Sequence, residues 1–297
     1  MTDALAARTS VAAELVRAAR PRHWLKNVLV FAAPVLSGRL AEPEVLGVAT
    51  VAFVAFCLAA SGVYLVNDAR DVDFDRAHPT KRLRPVALGT VSVRLAMIVG
   101  SALMAASLVV GALVNVPLLL TLAVYVGISL LYCFWLKDEP VIDIAIVASG
   151  FLLRAIAGGA AAGIDLSQWF LLGASFGSLF MASGKRYAEA QMEHDDPALF
   201  RASLGRYTTT YLRFVWTLSA GILIMTYGLW AFEQSALNGS QLPVIAMAPF
   251  VLAVLRYAVA VDAGEAAEPV DIAWRDHVLQ VLAAVWTVLV VAELYLR

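Results

Sequence analysis

Residues 61–85 read SGVYLVNDARDVDFDRAHPTKRLRP, a segment in which a long apolar run ends in a dense group of carboxylates. Asn67, Asp71 and Asp75 follow one another at steps of four residues. Each such step advances only about 40° around a helix, so the three side chains share one face, and Asp73 lies off it. An amide and two carboxylates suit Mg²⁺, which takes one or two carboxylates together with phosphate oxygens and waters. The motif therefore indicates a magnesium site for a phosphorylated ligand, and its alternative is a solvated acidic helix end.

The composition points to a membrane protein. Hydrophobic residues make up 61% of the 297 residues and charged residues only 15%, whereas soluble domains carry about 25% charged residues. The mean hydropathy is +0.78. These values predict an all-α polytopic membrane protein and argue against a soluble core. A net charge of -1 gives no reason to expect nucleic acid as a partner.

About nine apolar runs approach the roughly 20 residues that a helix needs to cross a bilayer. Before them, residues 1–22 place Arg8, Arg17, Arg20 and Arg22 among apolar positions, which predicts a basic helix lying on the membrane surface. We expect one transmembrane domain over residues 1–297. Its helices are expected at residues 24–40, 45–66, 91–113, 117–136, 141–163, 169–187, 211–232, 242–261 and 278–296.

Basic residues are concentrated on one side of this topology. With a cytoplasmic N-terminus, the loop after residue 66 and the segment after residue 184 both receive several lysines and arginines, while the opposite side holds little besides Arg39 and Arg297. Cytoplasmic loops carry such an excess of Lys and Arg. The carboxylate motif is therefore expected at the cytoplasmic surface of the membrane, which makes its ligand cytosolic or part of the inner leaflet.

A second charged segment on the same side has the same spacing. Lys185, Glu189 and Glu193 again lie four residues apart at the end of an apolar run. Two such faces could close over one ligand. On spacing alone, an ordinary charged helix end with pairs four residues apart fits equally well.

Two ionisable residues lie inside an apolar run, where charge is costly. Arg154 and Asp143 are separated by eleven residues, about three helical turns, and so share nearly one face. Such groups usually face a polar cavity or a partner. The sequence leaves two interpretations open, a face that lines the cavity and a buried pairing that serves packing.

These motifs carry a resemblance to a known family. The Asn67, Asp71 and Asp75 motif at the cytoplasmic end of the second span resembles the first aspartate-rich motif of the UbiA superfamily of intramembrane prenyltransferases, and the resemblance covers nearly the whole chain. Four stretches are similar, more narrowly, to the branch that transfers phosphoribosyl groups in actinobacterial cell-wall arabinan synthesis. They are residues 20–27 (RPRHWLKN), 67–85, 143–159 and 183–189 (SGKRYAE).

The resemblance implies a fold and a reaction. The fold is a UbiA-type helical bundle with a cytoplasm-facing cavity, and the cofactor is Mg²⁺. The reaction transfers 5-phosphoribosyl from 5-phosphoribosyl 1-diphosphate to decaprenyl phosphate, or to another polyprenyl phosphate, with release of diphosphate.

The chain departs from the usual family pattern at one place. Where typical members carry a second aspartate-rich motif, it has Lys185, Arg186 and Glu189. Basic side chains grip phosphate oxygens directly, which suits a donor and an acceptor that both carry phosphate.

The resemblance also implies roles for individual residues. The metal and catalytic residues are Asn67, Asp71 and Asp75. The donor-binding residues are Lys81, Arg82, Arg84, Lys185, Arg186, Tyr187 and Glu189. The lipid phosphate is assigned to Lys26, Asn27 and Arg154, while His78 and Pro79 are expected only to shape a turn.

Two other functions fit the sequence less well. A UbiA-type enzyme could use a prenyl diphosphate donor and a nonphosphorylated acceptor, but the single aspartate-rich motif counts against it. A lipid transporter or lipid-binding protein would also carry polar groups in its spans, but here the charges cluster at one rim and no pair of broken helices in matching halves is apparent. A homo-oligomer is compatible with either function.

Overall fold

Helices dominate the computed structural model, which describes residues 10–195, 206–266, 272 and 274–295, with side chains to residue 191 in the first range. No β-strand occurs in these residues. The α-helices are α1 (Val11–Ala18), α2 (Ala32–Leu36), α3 (Pro43–Arg70), α4 (Val72–Ala77), α5 (Pro85–Leu88), α6 (Val93–Val114), α7 (Val116–Leu131), α8 (Ile142–Ala162), α9 (Gln168–Asp195), α10 (Thr209–Asn238), α11 (Leu242–Ile245), α12 (Met247–Asp262) and α13 (His277–Tyr295). Two 3₁₀ helices (Pro21–Phe31 and Lys81–Leu83) and a π-helix (Tyr132–Leu136) complete the set.

Seven helices of the described residues are long and apolar enough to cross a membrane, which confirms an all-α polytopic membrane protein. The predicted run at residues 169–187 lies within α9, which is long but turns polar in its second half. The predicted run at residues 24–40 is divided between the first 3₁₀ helix and α2. With these two segments, the structure is compatible with the expected number of about nine.

The first 3₁₀ helix packs with the three-residue period of that geometry. Asn27 and Val30 of this helix are buried three residues apart, and Ala33, at the start of α2, is buried at the next such step. Close contact with α8 is possible because α8 has a glycine here: a Cβ on Gly158 would lie 1.8 Å from the carbonyl oxygen of Val30. Any larger residue at position 158 would push the two segments apart.

Caps and one close crossing fix the first group of long helices. The Ser92 side chain accepts a hydrogen bond from the backbone of Leu95 and begins α6, and Asn115 begins α7 in the same way. Where α3 crosses α6, a Cβ on Gly62 would lie 2.6 Å from the carbonyl oxygen of Gly100. Glycine is therefore required for this approach, as small residues commonly are between membrane helices.

Two apolar cores share α8. Ala157 of α8 packs in a core with Phe56 of α3 and Leu122 of α7. Ile144 of the same helix packs in a second core, with Trp216 of α10 and other residues of α9 and α12. Helix α8 therefore connects both halves of the bundle.

The N-terminal helix lies against the protein at the end of α3. Ala18 of α1 is 1% exposed and packs with Leu65, Ala69 and Val86. The predicted basic surface helix is thus α1 and its flanks, while residues 1–9, including Arg8, lie outside the described part. Helix α1 brings its arginines to the same rim as the carboxylate motif.

Candidate active site

The carboxylate motif lies where α3 ends and α4 begins. Helix α3 ends at Arg70 and α4 begins at Val72, but Asp71 N–H still donates to the carbonyl of Asn67 (2.9 Å) and Asp75 N–H to that of Asp71 (2.8 Å). The four-residue hydrogen-bond spacing of the predicted motif is therefore kept across the break. Asp73, expected off the face, has a 90% exposed side chain that pairs with Arg76.

Both carboxylates of the motif hold a basic side chain. Lys137 Nζ donates to Asp71 Oδ1 at 2.5 Å, and Arg84 Nη1 donates to Asp75 Oδ2 at 2.7 Å. The Asn67 Oδ1 accepts a weak hydrogen bond from Cys133 Sγ at 3.4 Å. The motif is therefore surrounded by cations that can also hold phosphate oxygens.

Lys137 was not identified as a site residue from the sequence. It follows the π-helix, whose Cys133 contacts Asn67 and whose Tyr132 hydroxyl accepts from Arg186 Nη2 at 3.1 Å. Single π-turns inside helices occur frequently at functional sites. A lysine directly after a predicted span was the available signal, but its partner Asp71 is 66 residues away.

Asp68 is the second residue that sequence reasoning left without a role. Its side chain is 1% exposed, and its Oδ1 accepts from Arg20 Nη2 at 2.5 Å and from Arg84 Nη1 at 3.1 Å. Asp68 thus ties the N-terminal segment and the loop after α4 to the end of α3. Its position in the carboxylate group was visible in the sequence, but its burial was not.

The predicted donor-binding residues of the loop after α4 lie beside this motif. Arg84 contacts it directly, Lys81 is half-buried and Arg82 is exposed. His78 Nδ1 accepts from the backbone N–H groups of Thr80 (3.2 Å) and Lys81 (3.3 Å). His78 therefore shapes the turn, as expected from the sequence.

Burial shifts the pKa of two groups here. Burial raises the pKa of Asp75, which the positive charge of Arg84 opposes. Burial also lowers the pKa of His78, and the nearby Lys81 and Arg84 lower it further. Both groups lie near the basic side chains Lys81 and Arg84.

On α9, the predicted donor-binding residues separate into different environments. The Lys185 ammonium lies 3.8 Å from Glu189 Oε1, and both side chains are about a quarter exposed. Arg186 is buried: its Nε donates to Asp143 Oδ2 (2.9 Å) and its Nη1 to Glu189 Oε2 (2.5 Å). Arg186 therefore positions Glu189 and has little surface left for a ligand.

Tyr187 faces away from this group. It is 1% exposed in the second core, and its hydroxyl accepts from Arg213 Nη2 (2.6 Å) and donates to Asp262 Oδ1 (3.3 Å). The Tyr187 hydroxyl thus has two protein partners, and the assignment of this residue to the donor stays a prediction. The side chain of Glu193, the third member of the predicted spacing, lies outside the described residues.

The predicted lipid-phosphate residues Asn27 and Arg154 bind each other. Arg154 Nε donates to Asn27 Oδ1 (2.6 Å), Nη1 to the carbonyl of Gly150 (2.5 Å) and Nη2 to the Tyr125 hydroxyl (3.0 Å). Arg154 is 6% exposed and Asn27 is fully buried. Of the two open interpretations, this geometry favours buried pairing, although the partner of Arg154 is Asn27 and not Asp143. Lys26 is half-buried at the neighbouring position.

Two cavities adjoin these residues. A cavity of about 320 Å³ lies between α1, the end of α3 and the loop after α4. A larger, mostly apolar cavity of about 880 Å³ lies among α8, α9, α10, α12 and α13. Its wall includes Met181, one helical turn before Lys185, so this cavity approaches the charged end of α9.

The donor set fits a hard divalent cation only together with a ligand. Among the described residues, no three His, Cys, Asp or Glu side chains converge closely enough to form a metal site by themselves. An amide and two carboxylates are nevertheless the incomplete oxygen set that Mg²⁺ takes when phosphates supply further ligands. An ion bound there would compete with Lys137 for Asp71 Oδ1.

Known proteins are similar to this chain along nearly its full length. The model of the UbiA prenyltransferase family matches residues 28–275. A decaprenyl-phosphate phosphoribosyltransferase of Mycolicibacterium smegmatis is 51% identical over 293 residues, which cover 95% of this chain and 92% of that protein. A protein of the same name from Mycobacterium tuberculosis H37Rv is 53% identical over 281 residues, 93% of each chain.

A solved structure has the same fold. It is a UbiA homolog from Archaeoglobus fulgidus bound to DMAPP and Mg²⁺, with a TM-score of 0.70 and 18% identity, and it covers 95% of this chain and 99% of that chain.

Proposed function

The chain belongs to the UbiA prenyltransferase family, and on that premise we propose that it transfers 5-phosphoribosyl from 5-phosphoribosyl 1-diphosphate to decaprenyl phosphate or a similar polyprenyl phosphate, releasing diphosphate. The observation that carries the proposal is the pairing of the acidic motif with fixed cations, Arg84 on Asp75 and Lys137 on Asp71. A site of this kind suits a donor with several phosphates. The names of relatives at 51% and 53% identity support the same reaction.

The reaction needs no strong general base. The phosphate of the lipid is already an anion, and one of its oxygens forms a bond to C1 of the ribose. The bond between C1 and the diphosphate oxygen breaks, and its electron pair leaves with the diphosphate. The barrier therefore lies in charge that develops on the leaving group, which fixed cations stabilise.

The described residues divide this work. Asn67, Asp71 and Asp75 would hold Mg²⁺, which supplies positive charge at the departing diphosphate. Lys137, released from Asp71, and Lys185 provide further positive charge at the donor. Lys81, Arg82 and Arg84 bind donor phosphates on the other side of the motif, and Glu189 is held by Arg186.

The lipid acceptor is assigned to the membrane side of the site. Lys26 is the candidate for its phosphate, while Asn27 and Arg154 hold the segment that carries Lys26 in place. The apolar cavity that reaches Met181 has the character needed for part of the polyprenyl chain. Lys185, one turn further along α9, would lie near the phosphate end of that chain.

The location follows from the distribution of charge. The uneven lysines and arginines support a bacterial plasma membrane protein with the site on the cytoplasmic side. Contact between Arg20 and Asp68 supports an N-terminus on that same side.

The test is direct transfer. Purified protein is incubated with Mg²⁺, polyprenyl phosphate and radiolabelled 5-phosphoribosyl 1-diphosphate, and we expect label in the organic phase only when the lipid is present. A parallel reaction offers a prenyl diphosphate with a nonphosphorylated acceptor. Product from that reaction alone would replace the proposal with ordinary prenyl transfer, and donor binding without turnover would favour a transporter or binding protein.

A further inference from the structure

The smaller cavity has an unusual balance of charge. Arg17, Arg20, Lys81 and Arg84 line its wall, and Asp68 is the one acidic residue among its lining residues in the described part of the chain. The lining comes from three separate places, namely α1 and its C-terminal flank, the end of α3 and the loop after α4. At about 320 Å³, the cavity has room for a small anionic group.

The cations are held in place by the protein itself. Asp68 Oδ1 bonds both Arg20 and Arg84, and Asp68 Oδ2 has no hydrogen-bond partner among the described residues. Arg17 Nη2 donates to the carbonyl of Leu83 at 2.8 Å, with Glu14 Oε2 3.4 Å from its Nη1. One buried carboxylate thus keeps two guanidinium groups assembled, and the cavity retains a surplus of positive charge.

The backbone at Arg20 adds to this arrangement. Arg20 has φ 55° and ψ 62°, a left-handed conformation that is unfavourable for residues other than glycine. Its guanidinium lies over the Tyr64 ring, 4.9 Å from the centroid, as well as on Asp68. Surrounding contacts therefore determine where this side chain points.

The cavity adjoins the proposed metal ligands. The same Arg84 nitrogen lies 3.1 Å from Asp68 and 2.7 Å from Asp75. A ligand whose diphosphate lies at Asp75 can therefore place a second anionic group in the cavity. Prenyl diphosphates carry charge at one end only and have no group for it.

We propose that this cavity binds a phosphate monoester, which is the 5-phosphate of the phosphoribosyl donor, with Arg17 and Arg20 as ligands in addition to Lys81 and Arg84. The assignment rests on the proposed function. Arginine is well suited to the role because its planar fork binds phosphate oxygens bidentately. An anionic phospholipid headgroup offers the same chemistry, since α1 lies at the rim, and the experiment separates the two sources.

The experiment compares two donors, 5-phosphoribosyl 1-diphosphate and ribose 1-diphosphate, which lacks the 5-phosphate. We expect Arg17→Gln to lower kcat/KM for the first donor about ten- to a hundredfold, the loss expected for one charge-assisted hydrogen bond. The same variant should leave kcat/KM for the second donor unchanged. Arg94→Gln is the matched control, because Arg94 is exposed and does not line the cavity, and it should resemble wild type with both donors.

Each other outcome has a definite meaning. Equal losses with both donors would overturn the proposal. The reactions are repeated in nanodiscs of phosphatidylcholine alone and with phosphatidylglycerol. An effect of Arg17→Gln that occurs only with the anionic lipid would make the headgroup the occupant and overturn the assignment to the donor.

The cavity is also tested without turnover. If wild-type protein transfers no phosphoribosyl group, the proposed function fails, but ribose 5-phosphate binding can still be measured by calorimetry. Weaker binding to Arg17→Gln than to wild type or Arg94→Gln would support the phosphate site. Equal binding to all three would refute it.

Discussion

Arg186 gives the sharpest test of the site, because sequence and structure assign it different roles. The sequence places it among the donor ligands, whereas the structure buries it against Asp143, with side-chain exposures of 4% and 0%. Arg186→Met keeps an unbranched apolar side chain at this position and removes the guanidinium charge. Breaking a buried ion pair by removing one partner costs about 3–5 kcal/mol, because it leaves the other charge uncompensated. We expect the free energy of unfolding to fall by that amount.

The second half of this test also removes the Asp143 carboxylate, which Arg186→Met leaves without its charged partner. In Arg186→Met/Asp143→Leu, most of the lost stability should return, since apolar residues can replace a buried pair at little cost. Arg39→Met is the matched control: its partner Glu42 is 2.9 Å away, but both side chains are exposed, at 43% and 50%. That variant should unfold like wild type.

The measurement is unfolding in mixed micelles with increasing sodium dodecyl sulfate, followed by circular dichroism, together with the donor KM of each variant. The reasoning would be refuted if Arg186→Met unfolded at the wild-type midpoint while its donor KM rose strongly. Arg186 would then be a donor ligand, and the contacts with Asp143 and Glu189 would be incidental.

Four other outcomes are expected from individual residues. Asp71→Ala should lower kcat by about 10² to 10³ without loss of folding, because it removes one group that stabilises charge in the transition state. Asp73→Ala changes an exposed residue and should keep a kcat near that of wild type. Similar rates for the two variants would contradict the metal assignment. Lys185→Ala should raise donor KM about ten- to a hundredfold with little change in lipid KM, and activity retained in Lys185→Asp at high Mg²⁺ would show that a second metal is tolerated there. The pKa of His78 is lowered in the folded protein, so as the pH falls the unfolded protein takes up a proton at this residue before the folded protein does. The contribution of His78 to stability should therefore be complete above about pH 6.5 and be lost as the pH falls below that value. In His78→Asn, this part of the pH dependence of the unfolding midpoint should be absent. Pro79→Cys should react with impermeant reagents only from the cytoplasmic side, where the basic residues place this loop. Both native cysteines are buried and should not react. Labelling from outside intact cells would overturn the topology.

The sequence predicted those features that depend on local pattern. Hydropathy located the long helices, and four-residue spacing located Asn67, Asp71 and Asp75, whose backbone bonds follow that spacing. Its position within ten residues of Asp75 also placed Arg84 near the motif. These features are encoded within a few helical turns of the chain.

Features that depend on distant partners were not predictable. Asp68 looked like one more carboxylate, because its contact with Arg20 joins residues 48 positions apart. Asp143 and Arg154 were expected to share a face, but each finds its partner on another helix, Arg186 and Asn27 respectively. A single sequence contains no signal for contacts between such distant residues. Once buried in them, Asp68, Asp143 and Arg154 hold the structure together, a role that their positions in the sequence did not indicate.

The tightly wound segment before α3 has a length that matches the thickness of a membrane. The segment follows Arg20, which contacts Asp68 near the C-terminal end of α3. It leads through Leu40 to Pro43, where α3 begins, so it runs along the length of that helix. The 11 residues of Pro21–Phe31 rise about 2.0 Å each, and the 5 residues of Ala32–Leu36 rise about 1.5 Å each. Together they reach about 30 Å, the thickness of the hydrocarbon layer, for which an ordinary helix needs about 20 residues.

Rewinding this segment as an α-helix would shorten it by about 5 Å. Because Leu40 is tied to the Tyr295 hydroxyl at the far side, the shortening would fall on the near side and draw Arg20 away from Asp68. The winding of this segment thus sets how far the N-terminal arginines extend over the site.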